Sequence, residues 1–206
     1  MPKPKYFTIT PVDDADGIAT SQTPAAGGVQ SLTLTDSPVV YDTPHKVIIT
    51  AVGDESGRTI AVIGNDISGQ PVIEEITGPD ATTAETVNYF TSISDVTVDD
   101  DTAGALAVGT SGLCSSPWYP VNRRSGDFGI AFSCELAGSA AMTYGVLQTF
   151  DDLQDNDALI TSFDHASVAS ETTSQHGDFS NPPRGIRCEV SAFTSGVLQF
   201  NIHEKG

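Results

Sequence analysis

Positive charge is scarce in this sequence of 206 residues, which has 9 lysine and arginine residues against 27 aspartate and glutamate residues. The formal net charge of −18 at pH 7 repels nucleic acid phosphates, so we expect no direct binding of DNA or RNA. Solvated loop carboxylates are the preferred explanation of the acidic excess, ahead of a specific cation or a basic partner.

Cysteine, histidine and long apolar runs are also in short supply. The three cysteines, Cys114, Cys134 and Cys188, are odd in number and far apart, which does not fit the disulfide framework of a secreted domain. The four histidines are scattered and no C-x-x-C occurs, so we expect no structural zinc. The first residues lack the apolar core of a signal peptide, and no window is long enough to span a bilayer. We therefore expect synthesis in a reducing cytosol and no membrane partner.

The sequence offers no recognisable catalytic pattern. There is no G-x-S-x-G elbow, and chance explains the neighbouring Asp164 and His165. No glycine-rich loop leads from a strand into a helix, so a phosphate cradle is missing. A carboxylate pair suited to glycoside cleavage could come together only through tertiary structure. We expect no catalytic residue, no cofactor and no enzymatic activity.

Three acidic segments raise the question of calcium binding. In residues 13–17 the spacing fails, because Val12 stands where the first ligand of a calcium loop belongs and Thr23 where its bidentate glutamate belongs. Residues 99–101 and 151–157 are denser clusters that could capture calcium between subunits, but they show no ordered ligand pattern. Solvated loops are the preferred interpretation, and we assign no metal ligand.

The composition of the sequence favours strands and turns. It has 19 glycines and 12 prolines, only 17% of its residues are charged, and short β-branched runs recur. Residues 59–79 read as a hairpin whose turn uses the pairs at 65–66 and 68–69, and Pro79 ends its second strand. No apolar stripe is long enough for a substantial helix. We predict an all-β protein.

Period-two patterns predict further strands in the second half of the chain. Residues 129–136 and 142–148 are predicted as two separate strands. Residues 186–190 are predicted to pair with residues 198–202 across a loop at 194–196.

Composition divides the chain into four segments. Residues 1–28 are predicted as an extended N-terminal arm that contains one strand. Residues 29–114 form a first β-domain, residues 115–122 a linker with two prolines, and residues 123–206 a second β-domain. We expect two β-sandwich or barrel-like modules. Trp118 is expected to pack at the seam between the domains or, alternatively, to stand exposed as an interface anchor.

The pattern around the predicted hairpin resembles a small β-domain that recurs in structural proteins of tailed-bacteriophage virions. In that family a Gly-Thr-Asp-x-x-Gly-like turn leads into an Ile-Thr-Gly-Pro run and then into a Phe-x-x-Ile-x-x-Val strand. The matching positions are residues 64–69, 76–79 and 90–96, with Asn65 in place of the usual threonine.

Two more parts of the chain carry this resemblance. Residues 16–24 are similar to the family's entry segment, and residues 179–187 and 193–198 are similar to the last hairpin of many such proteins. The resemblance implies a non-enzymatic structural protein on the capsid surface of a virion, synthesised in the host bacterial cytoplasm. The role it favours is that of a head decoration or cement protein, which binds across neighbouring major capsid protein subunits and stabilises the head. A homo-oligomer, either a trimer or a dimer, is expected.

The partner-binding residues expected for this role lie mostly in the basic and aromatic start of the chain. Lys3, Lys5, Tyr6 and Phe7 contrast with the acidic remainder, and such a segment could join a neighbouring subunit by strand addition. An ordinary first strand with frayed leading residues is the open alternative. Trp118 completes the set as an interface anchor.

Two other functions stay open on the sequence alone. One is a different virion role, as a tail-tube, head-to-tail connector or fibre-associated protein, which the position in the particle would distinguish. The other is a carbohydrate-binding module for host recognition, which would use Trp118, Tyr119 or other exposed aromatic side chains.

Overall fold

A computed structural model describes residues 4–121, 129–153 and 160–204. Within these ranges the chain forms strands and turns and no helix, and the strands pair antiparallel, which confirms the all-β prediction. The strands in chain order are β1 (Lys5–Ile9), β2 (Asp13–Gln22), β3 (Gln30–Ser31), β4 (Val39–Ala51), β5 (Thr59–Asp66), β6 (Pro71–Thr77), β7 (Thr83–Glu85), β8 (Phe90–Val98), β9 (Leu106–Ser115), β10 (Tyr119–Pro120), β11 (Ile130–Thr149), β12 (Phe163–Asp164), β13 (Gln175–Phe179) and β14 (Gly185–Glu204).

These strands belong to two compact units. Val12–Leu113 is continuous in sequence and is called the inserted unit, whereas Met1–Pro11 and Cys114–Gly206 together make the split unit. The chain therefore begins in the split unit, runs through the whole inserted unit and then returns.

This division differs from the four segments predicted from composition. The residues predicted as an arm are shared between the units, because β1 belongs to the split unit and β2 to the inserted unit. The predicted linker, residues 115–122, falls within the split unit, and its residues Tyr119–Pro120 form β10. Polar and small residues fill β2, so its sequence lacks the apolar alternation that marks a strand.

In the inserted unit five strands follow one another in the order β9, β4, β8, β5 and β6. Strand β2 pairs with β9, β3 with β8, and β7 with β4. Successive side chains of a strand point to opposite faces, so every second residue can enter the core. The fully buried members of this core include Ile18, Ile49, Ile60, Val62, Phe90, Ile93, Val96 and Leu106.

The hairpin predicted in residues 59–79 is confirmed, as β5 pairs with β6. Asp66 organises the turn, because its Oδ1 accepts hydrogen bonds from the backbone amides of Ser68 and Gln70, each at 2.8 Å. Gly69 has a φ of +78°, which glycine adopts without steric cost. Local turn chemistry therefore fixes the register of this hairpin.

The split unit is organised by a ribbon of two strands, β11 and β14, each 20 residues long. Their pairing runs from Ile130 opposite Glu204 to Thr149 opposite Gly185. Strands β12 and β13 pair with β11, while β1, β10 and the last two residues of β9 pair with β14. One hydrophobic core takes residues from both ends of the ribbon, among them Phe132, Tyr144, Val146, Cys188 and Phe200.

The structure corrects the prediction of two strands at residues 129–136 and 142–148. They are parts of β11, and an irregularity between Ala137 and Ala141 separates them. Gly138 has a φ of +74° there. A bulge breaks the two-residue period and uses the same small residues as a turn, so a sequence pattern reads it as the end of a strand.

The predicted pairing of residues 186–190 with residues 198–202 is wrong for the same reason. Both segments lie in β14, and both pair with β11. Gly196, with a φ of +98°, lies opposite the β11 irregularity instead of closing a hairpin. The similarity of this region to a terminal hairpin is therefore a similarity of sequence pattern alone.

All three cysteines are buried as free thiols in the core of the split unit. Burial raises the pKa of the Cys114 thiol, with a smaller contribution from Glu189. Burial also raises the pKa of the Cys188 thiol, and a hydrogen bond with Cys134 adds to that shift. The thiolate is the reactive form, so burial and a raised pKa both protect Cys114 and Cys188 from reagents, and burial protects Cys134.

We therefore expect native protein to show no thiol reaction with a soluble disulfide reagent over minutes, and all three thiols to react after denaturation in guanidinium chloride. The absorbance of the thiolate released from the reagent gives the number of reactive thiols in the native and in the denatured protein. A single variant, Cys134→Ser, should lower the denatured count by one and serves as the calibration. Prompt reaction of the native protein would show that the core opens.

Candidate partner-binding surface

Strand β1 carries three of the predicted partner-binding residues and pairs with β14. The alternation of a strand puts Lys5, Phe7 and Ile9 on one face and Tyr6 on the other. Ile9 is 1% exposed in the core, whereas Tyr6 is 62% exposed. Lys3 lies outside the described residues. The buried Ile9 thus anchors a strand whose Tyr6 faces solvent.

Phe7 is part of an aromatic cluster, which we call the Phe7 cluster and define as Lys5, Phe7, Tyr119 and Phe200. The Phe7 ring stacks on Phe200 at a centroid distance of 6.1 Å and meets Tyr119 edge-on at 6.5 Å. The Nζ atom of Lys5 lies 5.3 Å from the centre of the Phe7 ring, within the range of a cation–π attraction. A basic group is therefore held over an aromatic surface.

Tyr119 reaches this cluster from β10, which pairs with Gly185 and Ile186 at the start of β14. Burial raises the pKa of Tyr119, and the charge of Glu204 and a hydrogen bond with it add to the shift. The phenol therefore stays protonated at neutral pH and donates to the Glu204 carboxylate. This bond links β10 to the last residue of β14.

Trp118 precedes Tyr119, but its ring packs against a different residue of the split unit. The guanidinium of Arg187 lies 5.0 Å from the centre of the Trp118 ring. Arg187 also forms an ion pair with Glu189 at 2.8 Å and donates to Ser115 Oγ at 3.3 Å. Trp118 is half-buried, so part of its ring covers a paired arginine and part remains accessible.

The structure thus separates the predicted site residues into three places within one unit. Lys5 and Phe7 belong to the Phe7 cluster, Tyr6 lies on the opposite face of β1, and Trp118 covers Arg187. The partner-binding assignment itself stays a prediction. Tyr119 joins Phe7 only because β10 pairs with β14, and no spacing in the sequence indicates that pairing.

The acidic cluster at residues 99–101 has a structural use. The Asp101 carboxylate accepts the Gly27 amide at 2.6 Å, and the Asp100 carboxylate accepts the Gly28 amide at 3.0 Å. Hydrogen bonds from the Asp101 and Gly28 amides lower the pKa of Asp100, and Arg58 contributes less. These carboxylates hold the loop before β3.

The second cluster, residues 151–157, is described only in part, because residues 154–157 lie outside the described ranges. Asp151 accepts the Thr161 amide at 2.6 Å, and Asp152 forms an ion pair with Arg184 at 2.8 Å. Among the residues that the structure describes, no group of three or more histidine, cysteine, aspartate or glutamate side chains is arranged to hold a metal ion.

Most basic side chains with described positions are already close to carboxylates. The ion pairs are Lys46 with Glu85 at 3.9 Å, Arg58 with Asp100 at 3.8 Å, Arg184 with Asp152 at 2.8 Å and Arg187 with Glu189 at 2.8 Å. Four of the five basic side chains in the described ranges are therefore paired with carboxylates, and the fifth, Lys5, lies over the Phe7 ring.

Comparison with known proteins adds no family assignment. No protein-family model matches this sequence, and no curated protein matches it significantly. The described ranges contain no helix with the length and hydropathy needed to cross a bilayer. The virion resemblance therefore depends on the motif residues alone.

Proposed function

We propose that this protein is a structural component of a tailed-phage virion, a decoration or cement protein that binds across neighbouring major capsid protein subunits and stabilises the head. The supporting observation is the arrangement of the three motif segments. Residues 64–69 close the β5–β6 hairpin, residues 76–79 end it, and residues 90–96 lie in β8, which pairs with β5. Segments that are separate in sequence thus form one three-stranded piece, as a shared β-domain requires.

In this proposal the protein acts through contact area. A specific interface buries about 1,600 Å² in total, and every copy on the repeated capsid lattice adds binding free energy that opposes the pressure of packaged DNA. Self-association as a trimer or dimer strengthens weak individual contacts through multivalency. The two compact units serve as the sandwich- or barrel-like modules, and β1 presents its outward face to a neighbouring subunit.

The surface proposed for capsid binding is the outward face of β1. Tyr6 is exposed, yet its strand is fixed by pairing with β14 and by the buried Ile9. A rigid aromatic side chain loses little entropy on binding, so it suits an interface anchor. Lys5 lies over the Phe7 ring on the opposite face of β1, so Tyr6 is the predicted residue that this outward surface presents.

We expect Tyr6→Ala to weaken binding to capsids that lack this protein by about thirtyfold, because a central aromatic anchor contributes about 2 kcal/mol. Co-sedimentation of purified protein with such capsids gives the affinity. Val87→Ala is the matched control, since it removes a side chain that is 78% exposed in the inserted unit. Both variants should keep the wild-type melting temperature.

Deleting the first ten residues would not test this surface, since it also removes Ile9 from the core and β1 from β14. Point variants avoid that ambiguity. If Tyr6→Ala binds capsids as wild type does, the outward face of β1 is not the contact, and Lys5→Glu tests the Phe7 cluster on the opposite face in the same way. If the wild-type protein itself does not bind capsids, the proposal of a decoration protein is wrong.

Electron micrographs of the particle separate decoration from the other virion roles. Density spread over the capsid lattice supports decoration. Density confined to one vertex or to the tail supports a tail-tube, connector or fibre-associated role instead.

Carbohydrate recognition is a second candidate, which an exposed aromatic pair favours. Phe150 and Phe163 are 48% and 52% exposed, and their ring centres lie 6.3 Å apart. A groove of about 310 Å³ beside Phe150 is lined by polar side chains that include Gln148, Ser167 and Asn181. An aromatic surface next to hydrogen-bonding groups can hold a sugar ring. Glycan-array binding that disappears in Phe163→Ala would favour this function over capsid decoration.

A further inference from the structure

Strand β6 has an open outer edge. It is the last strand in the order of the inserted unit, it pairs with β5 on one side, and no described strand pairs with its other side. Its seven residues offer a length typical of a strand that could accept another.

The backbone groups on this open edge follow from the register. The backbone amide of Asp66 donates to the Gln70 carbonyl at 2.8 Å, and the backbone amide of Gly78 donates to the Arg58 carbonyl at 2.9 Å. Both ends of the hairpin are therefore hydrogen-bonded pairs. Hydrogen-bonded pairs alternate with non-bonded pairs along an antiparallel ladder. The backbone amides and carbonyls of residues 72, 74 and 76 therefore bond to β5. The amides and carbonyls of residues 73, 75 and 77 therefore point outward.

Ile73 borders an uncharged groove on the outer face of the sheet, whereas Glu75 lies two residues farther along β6. Ile73 is 65% exposed and lies opposite Ile63 on the outer face. A groove of about 430 Å³ on this face is lined by uncharged residues, including Pro38, Ile63, Asn65, Pro71, Ile73 and Ser92. The exposed apolar side chain of Ile73 beside this uncharged groove suits a protein contact.

Charge decides which strand can occupy the edge. Glu75 is exposed at the centre of the outward-pointing groups. Edge strands commonly carry charge or proline to prevent unwanted pairing, and Pro71 and Glu75 supply both. A second copy paired antiparallel about residue 75 would place Glu75 opposite Glu75, so electrostatics disfavours self-pairing at this edge. A lysine or arginine in the incoming strand would instead pair with Glu75.

We propose that β6 is a strand-addition site for an extended segment of a partner protein, one that carries a basic residue opposite Glu75 and β-branched residues against Ile73. The main-chain groups of residues 73, 75 and 77 supply the hydrogen bonds, and Ile73, at the rim of the uncharged groove, packs against the β-branched side chain opposite it. This inference depends on β6 alone and holds whether or not the protein belongs to a virion.

The test uses the full chain and an end-capped peptide of seven residues with lysine at its centre, valine two residues to each side of that lysine and threonine at the other positions, because residues opposite Ile73 and Glu75 share one face of the added strand. Amide hydrogen exchange measured by NMR should slow at least tenfold at Ile73, Glu75 and Thr77 when the peptide is added, while Val72 and Glu74 should change little. The matched peptide, in which glutamate replaces lysine, should bind at least tenfold more weakly.

Two variants separate the backbone from the charge. Thr77→Pro removes one outward amide, keeps the Glu75 carboxylate and spares the β5 ladder, so it should weaken binding of the lysine peptide tenfold or more. If that variant lowers the melting temperature, Glu75→Lys replaces it, and the preference should reverse toward the glutamate peptide. Equal binding of the two peptides, or protection elsewhere on the chain, would overturn the proposal. Protection of the same amides by a dimer of the protein without peptide would assign the edge to a second copy and would also overturn it.

Discussion

Replacing Gly109 with alanine is expected to lower the free energy of unfolding by about 3 kcal/mol or more. Gly109 lies in β9, where a Cβ atom would overlap the backbone oxygen of Asp14 and approach a backbone carbon of Ala15 to 2.5 Å. Strand β2 cannot move away easily, since it pairs with β9 at Thr110 and again at Val108. Urea denaturation followed by circular dichroism measures the change.

Gly57→Ala is the matched control for this substitution. The added Cβ would meet no atom within 4 Å at position 57, so the free energy of unfolding should change by less than about 0.5 kcal/mol. Equal stability of the two variants would mean that β2 and β9 do not approach each other as closely as described.

Replacing Glu55 with alanine should cost about 2–4 kcal/mol of stability, because two backbone amides would lose their acceptor. Glu55 is 1% exposed, and its carboxylate accepts the Gly104 amide at 2.7 Å and the Ala103 amide at 3.1 Å. Glu55→Gln keeps one acceptor oxygen and should cost about half as much. Chemical denaturation of both variants gives the comparison.

An exposed carboxylate provides the reference for this effect. Glu75→Ala changes a side chain that faces solvent in the same unit, and its stability should stay within about 0.5 kcal/mol of wild type. If Glu55→Ala and Glu75→Ala are equally stable, the loop at residues 102–104 does not depend on the buried carboxylate.

The parts of the fold that sequence patterns predict are those fixed by local chemistry. The β5–β6 hairpin is such a case, because Asp66 and Gly69 determine the turn within four residues of chain. The ribbon of β11 and β14 is the opposite case. Gly138 and Gly196 relax the backbone at matching points of two strands, and their sequence environment is that of a turn.

The candidate site shows the same limit. Alternation predicts that Phe7 and Ile9 share a face, and both do lie on the core side of β1. The contact of Phe7 with Tyr119 depends on pairing of β1 and β10 with opposite ends of β14, which no local pattern encodes. The use of Glu55 as a backbone acceptor is likewise visible only in three dimensions.

The interleaving of the two units also sets an order of events on the ribosome. Val12–Leu113 is one uninterrupted stretch, so it can reach its final pairing while later residues are still being translated. Lys5–Ile9 leaves the exit tunnel before the inserted unit, yet its partner Leu198–Ile202 emerges after that unit and after β11. Strand β1 therefore remains without its pairing partner while the inserted unit is translated, and a nascent chain halted before β14 would hold one folded unit and an unpaired β1 with Ile9 exposed.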